Sequence, residues 1–119
     1  MIVEDEALIA MSLEDVFEAQ GYRVTGPFST CADALAALAS AAPDIAILDA
    51  TLKDGSCLEL ARELRGRDIP FLIYSGRKAI EEHAPELGGI PWVDKPAPSD
   101  FVFGRAVKLL DVNRPEPRA

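Results

Sequence analysis

The sequence contains few of the residues that mark several common classes of protein. Among its 119 residues there are two cysteines and one histidine. Cys31 and Cys57 lie far apart and lack the spacing of metal ligands, so buried or half-buried thiols in a reducing cytoplasm are the simpler interpretation. His83 lies in a polar stretch without other ligating residues, which favours a surface histidine over a metal ligand or a catalytic base.

Long apolar runs and a glycine-rich phosphate loop are also missing. The uninterrupted apolar stretches are only a few residues long, too short to span a membrane. The amino terminus becomes acidic at Glu4 and Asp5, which argues against a secretory signal, so we expect a cytoplasmic protein without membrane contact. No Gly-rich loop follows the first apolar run, which argues against a dinucleotide-binding domain.

Basic residues are outnumbered by acidic ones. Twelve Lys and Arg residues face 20 Asp and Glu residues, which gives a formal net charge of −8 and a pI near 4.5. Such a surface repels phosphate backbones, so we expect no direct binding of nucleic acid and favour a bound cation or a cationic partner surface. Hydrophobic residues make up 49% of the chain, enough for the core of one domain of this length.

Short apolar runs alternate with amphipathic stretches, which is typical of repeated βα units. The runs predict five strands, at residues 1–3, 22–25, 45–48, 71–74 and 92–93. The amphipathic stretches predict helices at residues 6–20, 30–41, 56–65 and 99–110. The segment 77–89 carries Pro85 and ends in two glycines, so it predicts a short or irregular fourth helix.

This alternation predicts an α/β fold with a doubly wound parallel sheet. Right-handed crossovers make the strands parallel and bring their carboxyl ends to one edge, where open α/β folds bind ligands. Residues 1–112 form the predicted domain. Residues 113–119 carry two prolines and predict a flexible tail.

Polar residues follow four of the predicted strands. They are Glu4 and Asp5, Asp49, Ser75, and Lys95. Each alone is explained as a helix cap, a turn residue or a surface lysine, but their coincidence at four strand ends favours a common site. Three gathered carboxylates repel one another and raise at least one pKa unless a hard cation such as Mg²⁺ is bound.

Such a set of groups suits phosphoryl transfer, which needs positioning and neutralisation of charge. A carboxylate can act as the nucleophile and form an aspartyl phosphate. A lysine offers a mobile positive charge to one phosphoryl oxygen, and a serine hydroxyl can donate a hydrogen bond to another.

Four segments of the sequence resemble the motifs of response-regulator receiver domains of bacterial two-component systems. They are residues 3–6, residues 48–55, residues 74–76, and Lys95-Pro96. The resemblance covers nearly the whole chain and keeps the order of the motifs. It implies a flavodoxin-like, five-stranded parallel sheet with strand order 2-1-3-4-5, and a stand-alone, single-domain receiver.

The resemblance also implies a role for each site residue. Asp49 would accept the phosphoryl group from a histidine kinase or a histidine phosphotransfer protein. Asp5, Asp49 and the backbone carbonyl of Thr51 would bind Mg²⁺ (or Mn²⁺) directly, and Glu4 would bind it through water. Ser75 and Lys95 would hold the phosphoryl oxygens.

Three further residues take roles by the same resemblance. Trp92 stands where the family has its switch aromatic, which turns inward as Ser75 moves towards the phosphate; a core or interface tryptophan is the simpler alternative. Thr51 and Arg77 flank the acceptor where the family tunes dephosphorylation, although Arg77 is also explained as a solvated side chain. The Lys95–Pro96 bond would be cis.

These roles predict a signalling switch that catalyses only its own phosphorylation and dephosphorylation. Its output would be contact with an unknown downstream protein, or it would serve as a phosphate sink, and we expect a monomer or a weak homodimer. One alternative is a docking module that keeps the fold without phosphorylation. Another is an aspartate-nucleophile hydrolase, but the second acid that such an enzyme needs is replaced by Thr51.

Overall fold

A computed structural model of the chain describes residues 1–83, 85 and 89–113. The predicted tail at residues 113–119 lies outside the described residues except for Asn113. The helices are α1 (Ala7–Ala19), α2 (Cys31–Ser40), α3 (Leu58–Gly66), α4 (Arg77–His83) and α5 (Ser99–Asn113). The strands are β1 (Ile2–Val3), β2 (Ala46–Leu48), β3 (Thr51–Leu52), β4 (Gly55–Ser56), β5 (Phe71–Ser75) and β6 (Trp92–Asp94).

Four of these strands form a parallel sheet in the order β1-β2-β5-β6. Val3 is paired with Leu48, Leu48 with Ile73, and Ile73 with Trp92. Because the strands are parallel, the residues that follow them emerge at one edge of the sheet. The predicted parallel arrangement is therefore confirmed.

The edge next to β1 differs from the prediction of a regular strand at residues 22–25. The Thr25 carbonyl accepts a hydrogen bond from the first amide of β1 (3.0 Å), and Phe28 forms an isolated parallel bridge with Val3. Between them, Gly26 has φ +100° and lies so near β1 that a Cβ would be 2.7 Å from a carbonyl oxygen, and Pro27 has no N–H. The edge segment thus occupies the predicted place beside β1, but it cannot form a continuous ladder.

Helices cover both faces of the sheet, and the strand side chains alternate between two core clusters. On one face, α2 and α3 pack against Val3, Ala46, Leu48, Phe71 and Ile73. On the other face, α1 and α5 pack against Ile2, Ile47, Leu72, Tyr74 and Val93. This period of two along strands buried on both faces is the doubly wound arrangement that the sequence predicts. None of the helices in the described residues is long and apolar enough to cross a membrane.

A short hairpin follows β2 and contacts the start of α2. β3 and β4 are antiparallel and joined by Lys53 and Asp54. The Asp54 carboxylate accepts hydrogen bonds from the amides of Cys31 (2.8 Å) and Ala32 (3.0 Å). These amides belong to the first turn of α2, so the hairpin supplies a cap from a distant part of the chain. The Thr30 side chain also accepts a hydrogen bond, from the amide of Asp33 (3.1 Å).

Both cysteines are free thiols in the core. Cys57 is fully buried, and burial, with a smaller contribution from the nearby Asp49 charge, raises the pKa of its thiol to about 12. Burial also raises the pKa of Cys31. The prediction of buried thiols is confirmed. Because the thiolate is the reactive form, a raised pKa makes both thiols less reactive.

Candidate functional site

The site lies at the carboxyl edge of the sheet, where hydrogen bonds of the ladder continue beyond the strands. The Asp49 amide donates to the Val3 carbonyl (2.9 Å), and the Lys95 amide donates to the Ser75 carbonyl (2.9 Å). These bonds fix the backbones at the ends of β2 and β6 relative to their neighbours. The side chains that were predicted to gather from separate strands therefore start from fixed positions.

The Asp49 carboxylate receives three hydrogen bonds. Its Oδ1 accepts from Ser75 Oγ (2.7 Å) and the Thr51 amide (3.1 Å), and its Oδ2 accepts from Lys95 Nζ (2.9 Å). Asp49 is only 7% exposed. Burial alone would raise its pKa, but the donors Ser75, Lys95 and Thr51 outweigh burial and lower the pKa below its ordinary value. Asp49 is consequently an ionised carboxylate at neutral pH.

Lys95 connects two buried carboxylates. Its Nζ lies 2.9 Å from Asp49 Oδ2, 2.6 Å from Glu4 Oε1 and 3.7 Å from Glu6 Oε2. Burial alone would lower the pKa of Lys95, but hydrogen bonds to Glu4 and Asp49 outweigh it and raise the pKa. One ammonium group thus faces three acids, and it cannot neutralise all of them.

Glu4 is the acid of this group whose pKa is raised. Its side chain is almost fully buried, and burial together with the neighbouring Asp49 raises its pKa to about 7, although Lys95 acts in the opposite direction. The amide of Glu6 donates to its Oε2 (3.2 Å). The pKa of Glu4 is thus raised in the direction that the sequence predicts for one carboxyl of the metal-free site, and burial contributes more to this than the repulsion by Asp49.

The acidic residues fit a divalent cation. Glu4, Asp5 and Asp49 each offer a carboxylate oxygen, and these oxygens lie within 4.8 Å of one another. A hard cation such as Mg²⁺ binds a few carboxylate oxygens and would offset the burial and the repulsion by Asp49 that together raise the pKa of Glu4. The donor set, all oxygen with no sulfur or imidazole, agrees with that choice.

The predicted switch aromatic Trp92 and the predicted tuning residues Thr51 and Arg77 are exposed at the surface. Trp92 is 40% exposed, so the alternative of a core tryptophan is wrong. The Arg77 guanidinium lies 5.6 Å from the centroid of its ring, and Arg77 Nε donates to Asp94 Oδ2 (3.2 Å). Arg77 is therefore partnered and not simply solvated, and the exposed Thr51 contributes its amide to Asp49. The Lys95–Pro96 bond is cis, as predicted.

Sequence reasoning missed Glu6 and Tyr74. Glu6 follows the acidic pair, and its position near Lys95 depends on the start of α1. Tyr74 was interpreted only as a strand residue, but its hydroxyl bonds to Ala97 beside the site. The signal that could have found it is a phenol in a strand covered on both faces, because a buried hydroxyl needs a hydrogen-bond partner.

Comparison with known proteins identifies the family and agrees with this fold. The family model described as the response regulator receiver domain matches residues 1–102. The chain belongs to the response regulator receiver domains. It is 30% identical over 117 residues to the probable transcriptional regulatory protein TcrX of Mycobacterium tuberculosis, covering 92% of this chain and 48% of TcrX. The chain thus spans about half the length of the curated relatives it matches.

Solved receiver structures share the architecture. SdrG from Sphingomonas melonis Fr1 matches with a TM-score of 0.77 and 37% identity, covering 92% of each chain. The receiver domain of the response regulator PhyR from Erythrobacter litoralis matches with a TM-score of 0.77 and 27% identity, covering 99% of this chain and 92% of that one. The predicted flavodoxin-like receiver fold is confirmed, and the chain is a receiver of two-component signalling.

Proposed function

We propose that this receiver is a phosphoacceptor switch in which Asp49 takes a phosphoryl group from a histidine kinase or a histidine phosphotransfer protein. The observation that carries the proposal is the Asp49 carboxylate, buried yet ionised, with Ser75 and Lys95 donating to its two oxygens. A carboxylate in this state is a competent nucleophile without a general base.

The transfer follows from the groups around Asp49. A carboxylate oxygen forms a bond to phosphorus while the phosphorus–nitrogen bond to the donor imidazole breaks, and the bonding electrons remain on that nitrogen. Ser75 and Lys95 already lie within 2.9 Å of the carboxylate, so they are near enough to move to phosphoryl oxygens attached to it. Lys95 then stabilises the negative charge of the acyl phosphate.

Asp5, Asp49 and the backbone carbonyl of Thr51 would hold Mg²⁺ (or Mn²⁺), and Glu4 would hold it through water. When bound, the cation supplies neutralisation of charge between the carboxylates and the phosphoryl oxygens. The support for this assignment is the close approach of the three carboxylates and the raised pKa of Glu4.

Phosphorylation would act on partners through Ser75 and Trp92. The Ser75 hydroxyl moves from Asp49 to the phosphoryl group, and Trp92, half exposed at the end of the sheet, turns towards the space that Ser75 leaves. Thr51 and Arg77 set the lifetime of the phosphoryl group. The output is contact with a downstream protein or use as a phosphate sink by a stand-alone cytoplasmic receiver, a monomer or weak homodimer, that turns over no external substrate.

The test is uptake of one phosphoryl group from phosphoramidate with Mg²⁺, measured by intact mass. We expect a hydroxylamine-labile adduct on the wild type and on the control Asp44→Asn, which changes an exposed acid just before β2 at the opposite end of that strand. Asp49→Asn should carry no adduct. Absence of an adduct on the wild type would identify the docking-module alternative, and sustained turnover of a generic phosphate ester would identify the hydrolase.

A further inference from the structure

Tyr74 uses its hydroxyl twice on one residue of a loop. Its side chain is only 4% exposed and packs with the core cluster on the α1 and α5 face. The hydroxyl donates to the Ala97 carbonyl (3.0 Å) and accepts from the Ala97 amide (3.0 Å). A phenol that satisfies both backbone groups of a residue fixes the position and the orientation of that peptide.

Ala97 lies in a short loop between β6 and α5 and packs against the core cluster on the α1 and α5 face. The last hydrogen bond between the ends of β5 and β6 is from the Lys95 amide to the Ser75 carbonyl (2.9 Å), and α5 begins at Ser99. Of the three residues between, Pro96 and Pro98 have no N–H, so Ala97 carries the one backbone donor of this segment. Tyr74 accepts from that donor.

The ammonium of Lys95 depends on how this loop is held. Lysine has a long, flexible side chain, so a backbone held on both sides of Lys95, by the Ser75 bond and by the Tyr74 anchor, narrows the positions that Nζ can take. Nζ contacts Glu4 and Asp49, and it lies 5.6 Å from the centroid of the Tyr74 ring. Tyr74 therefore adjoins Lys95 from two sides, through the loop and through its ring.

We infer that Tyr74 is a positioning residue, which fixes the backbone behind Lys95 so that the ammonium reaches Asp49. The inference rests on the proposed function, in which Lys95 assists transfer to Asp49. Two adjacent residues of β5 then prepare the site: Ser75 contacts Asp49 directly, and Tyr74 acts through Lys95.

The test compares two single-atom changes. Tyr74→Phe removes the hydroxyl that holds Ala97 and keeps the ring; Tyr22→Phe is the matched control, in the same core cluster but away from the carboxyl edge. With phosphoramidate and Mg²⁺, we expect Tyr74→Phe to slow phosphorylation by about threefold to tenfold, because both hydrogen bonds between the hydroxyl and Ala97 are lost. Tyr22→Phe should have the wild-type rate.

A double-mutant cycle separates positioning from general destabilisation. In a Lys95→Ala background, Tyr74→Phe should slow phosphorylation no further, because the side chain that it positions is gone. An equal slowing in both backgrounds, or no slowing in the wild-type background, would overturn the inference.

A readout without phosphorylation tests the anchor itself. In the metal-free protein, amide hydrogen exchange at Ala97 should become faster in Tyr74→Phe and stay unchanged in Tyr22→Phe. Unchanged exchange at Ala97 in Tyr74→Phe would overturn the inference while leaving the proposed function intact. Failure of the proposed function is distinguished by the absence of an adduct on both the wild type and Tyr22→Phe, and it would remove the role of Lys95 as well.

Discussion

The ends of β1 and β2 carry two carboxylates that are equally buried and electrostatically opposite. Glu4 is 4% exposed and its pKa is raised to about 7, whereas Asp49 is 7% exposed and its pKa is lowered. Both contact Lys95, so the ammonium alone does not explain the difference. Asp49 also accepts hydrogen bonds from Ser75 Oγ and the Thr51 amide. Glu4 accepts a longer hydrogen bond from the Glu6 amide.

The comparison shows that the hydrogen-bond donors around a buried acid decide its charge, together with the interaction of the two acids themselves, which raises the pKa of Glu4 and lowers that of Asp49. The donors keep Asp49 ionised, whereas burial and Asp49 favour the protonated form of Glu4. A bound cation would favour the ionised form of Glu4. The contrast therefore suits the proposed roles of Asp49 as the nucleophile and of Glu4 as part of the cation site.

The largest expected effect comes from removing the group that the two acids share. In metal-free buffer at pH 8, Lys95→Met should lower the free energy of unfolding by about 3 kcal/mol, because it leaves buried carboxylates without their cation. Urea denaturation measures it, with the exposed Lys53→Met as the control. Adding Glu4→Gln to Lys95→Met should restore most of the lost free energy of unfolding. A double variant as unstable as Lys95→Met would show that Glu4 is not the acid that Lys95 neutralises.

The second prediction concerns pH and separates Glu4 from Asp49. The folded state raises the pKa of Glu4 from 4.5 to about 7, so it binds more protons than the unfolded state in this window, and Glu4 makes stability fall as pH rises through it. Relative to the metal-free wild type, Glu4→Gln should gain about 1–3 kcal/mol between pH 5 and pH 7.5.

Urea denaturation at the two pH values checks this gain. The control is Glu59→Gln, an exposed residue of α3. Asp49 has the opposite sign, because its pKa is lowered: its contribution is present above its unfolded pKa and is lost as pH falls. If Glu4→Gln followed the wild type at both pH values, the assignment of the raised pKa to Glu4 would be wrong.

The smallest change in the free energy of unfolding is expected at the exposed ion pair between Arg77 and Asp94. Arg77 and Asp94 have side chains that are 63% and 36% exposed, and such pairs contribute little to stability. Arg77→Gln should change the free energy of unfolding by less than about 0.5 kcal/mol, yet shift the emission of Trp92, because the guanidinium leaves its ring. A loss as large as that of Lys95→Met would show that burial is not what distinguishes the two pairs.

Much of the site could be predicted because its residues lie at or just after the carboxyl ends of strands. Asp49, Ser75 and Lys95 need only the parallel arrangement of their strands to meet, and apolar runs predict that arrangement. Contacts between distant loops gave no such signal. Asp54 has the sequence context of a turn, and Tyr74 that of a core strand residue, so their bonds to α2 and Ala97 become visible only in three dimensions.

The prediction of a regular strand beside β1 is wrong for a related reason. The alternation at residues 22–25 is that of a strand, but the ladder with β1 is interrupted where Gly26 approaches a β1 carbonyl and Pro27 lacks a donor. A local sequence pattern indicates the propensity of a segment for a strand, whereas its hydrogen bonding depends also on the neighbouring strand. The place of the segment in the sheet was correct, and its regularity was not.

The proposed function depends above all on which residue carries the phosphoryl group. After phosphorylation with Mg²⁺, reduction by borohydride converts the acyl phosphate to a stable residue that peptide mass spectrometry can locate. We expect the modification at Asp49, dependent on Mg²⁺ and absent from Asp49→Asn. Modification at Glu4 or Asp5 would contradict the proposed role of Asp49. Modification at Asp49 without a divalent cation would contradict the proposed role of the metal.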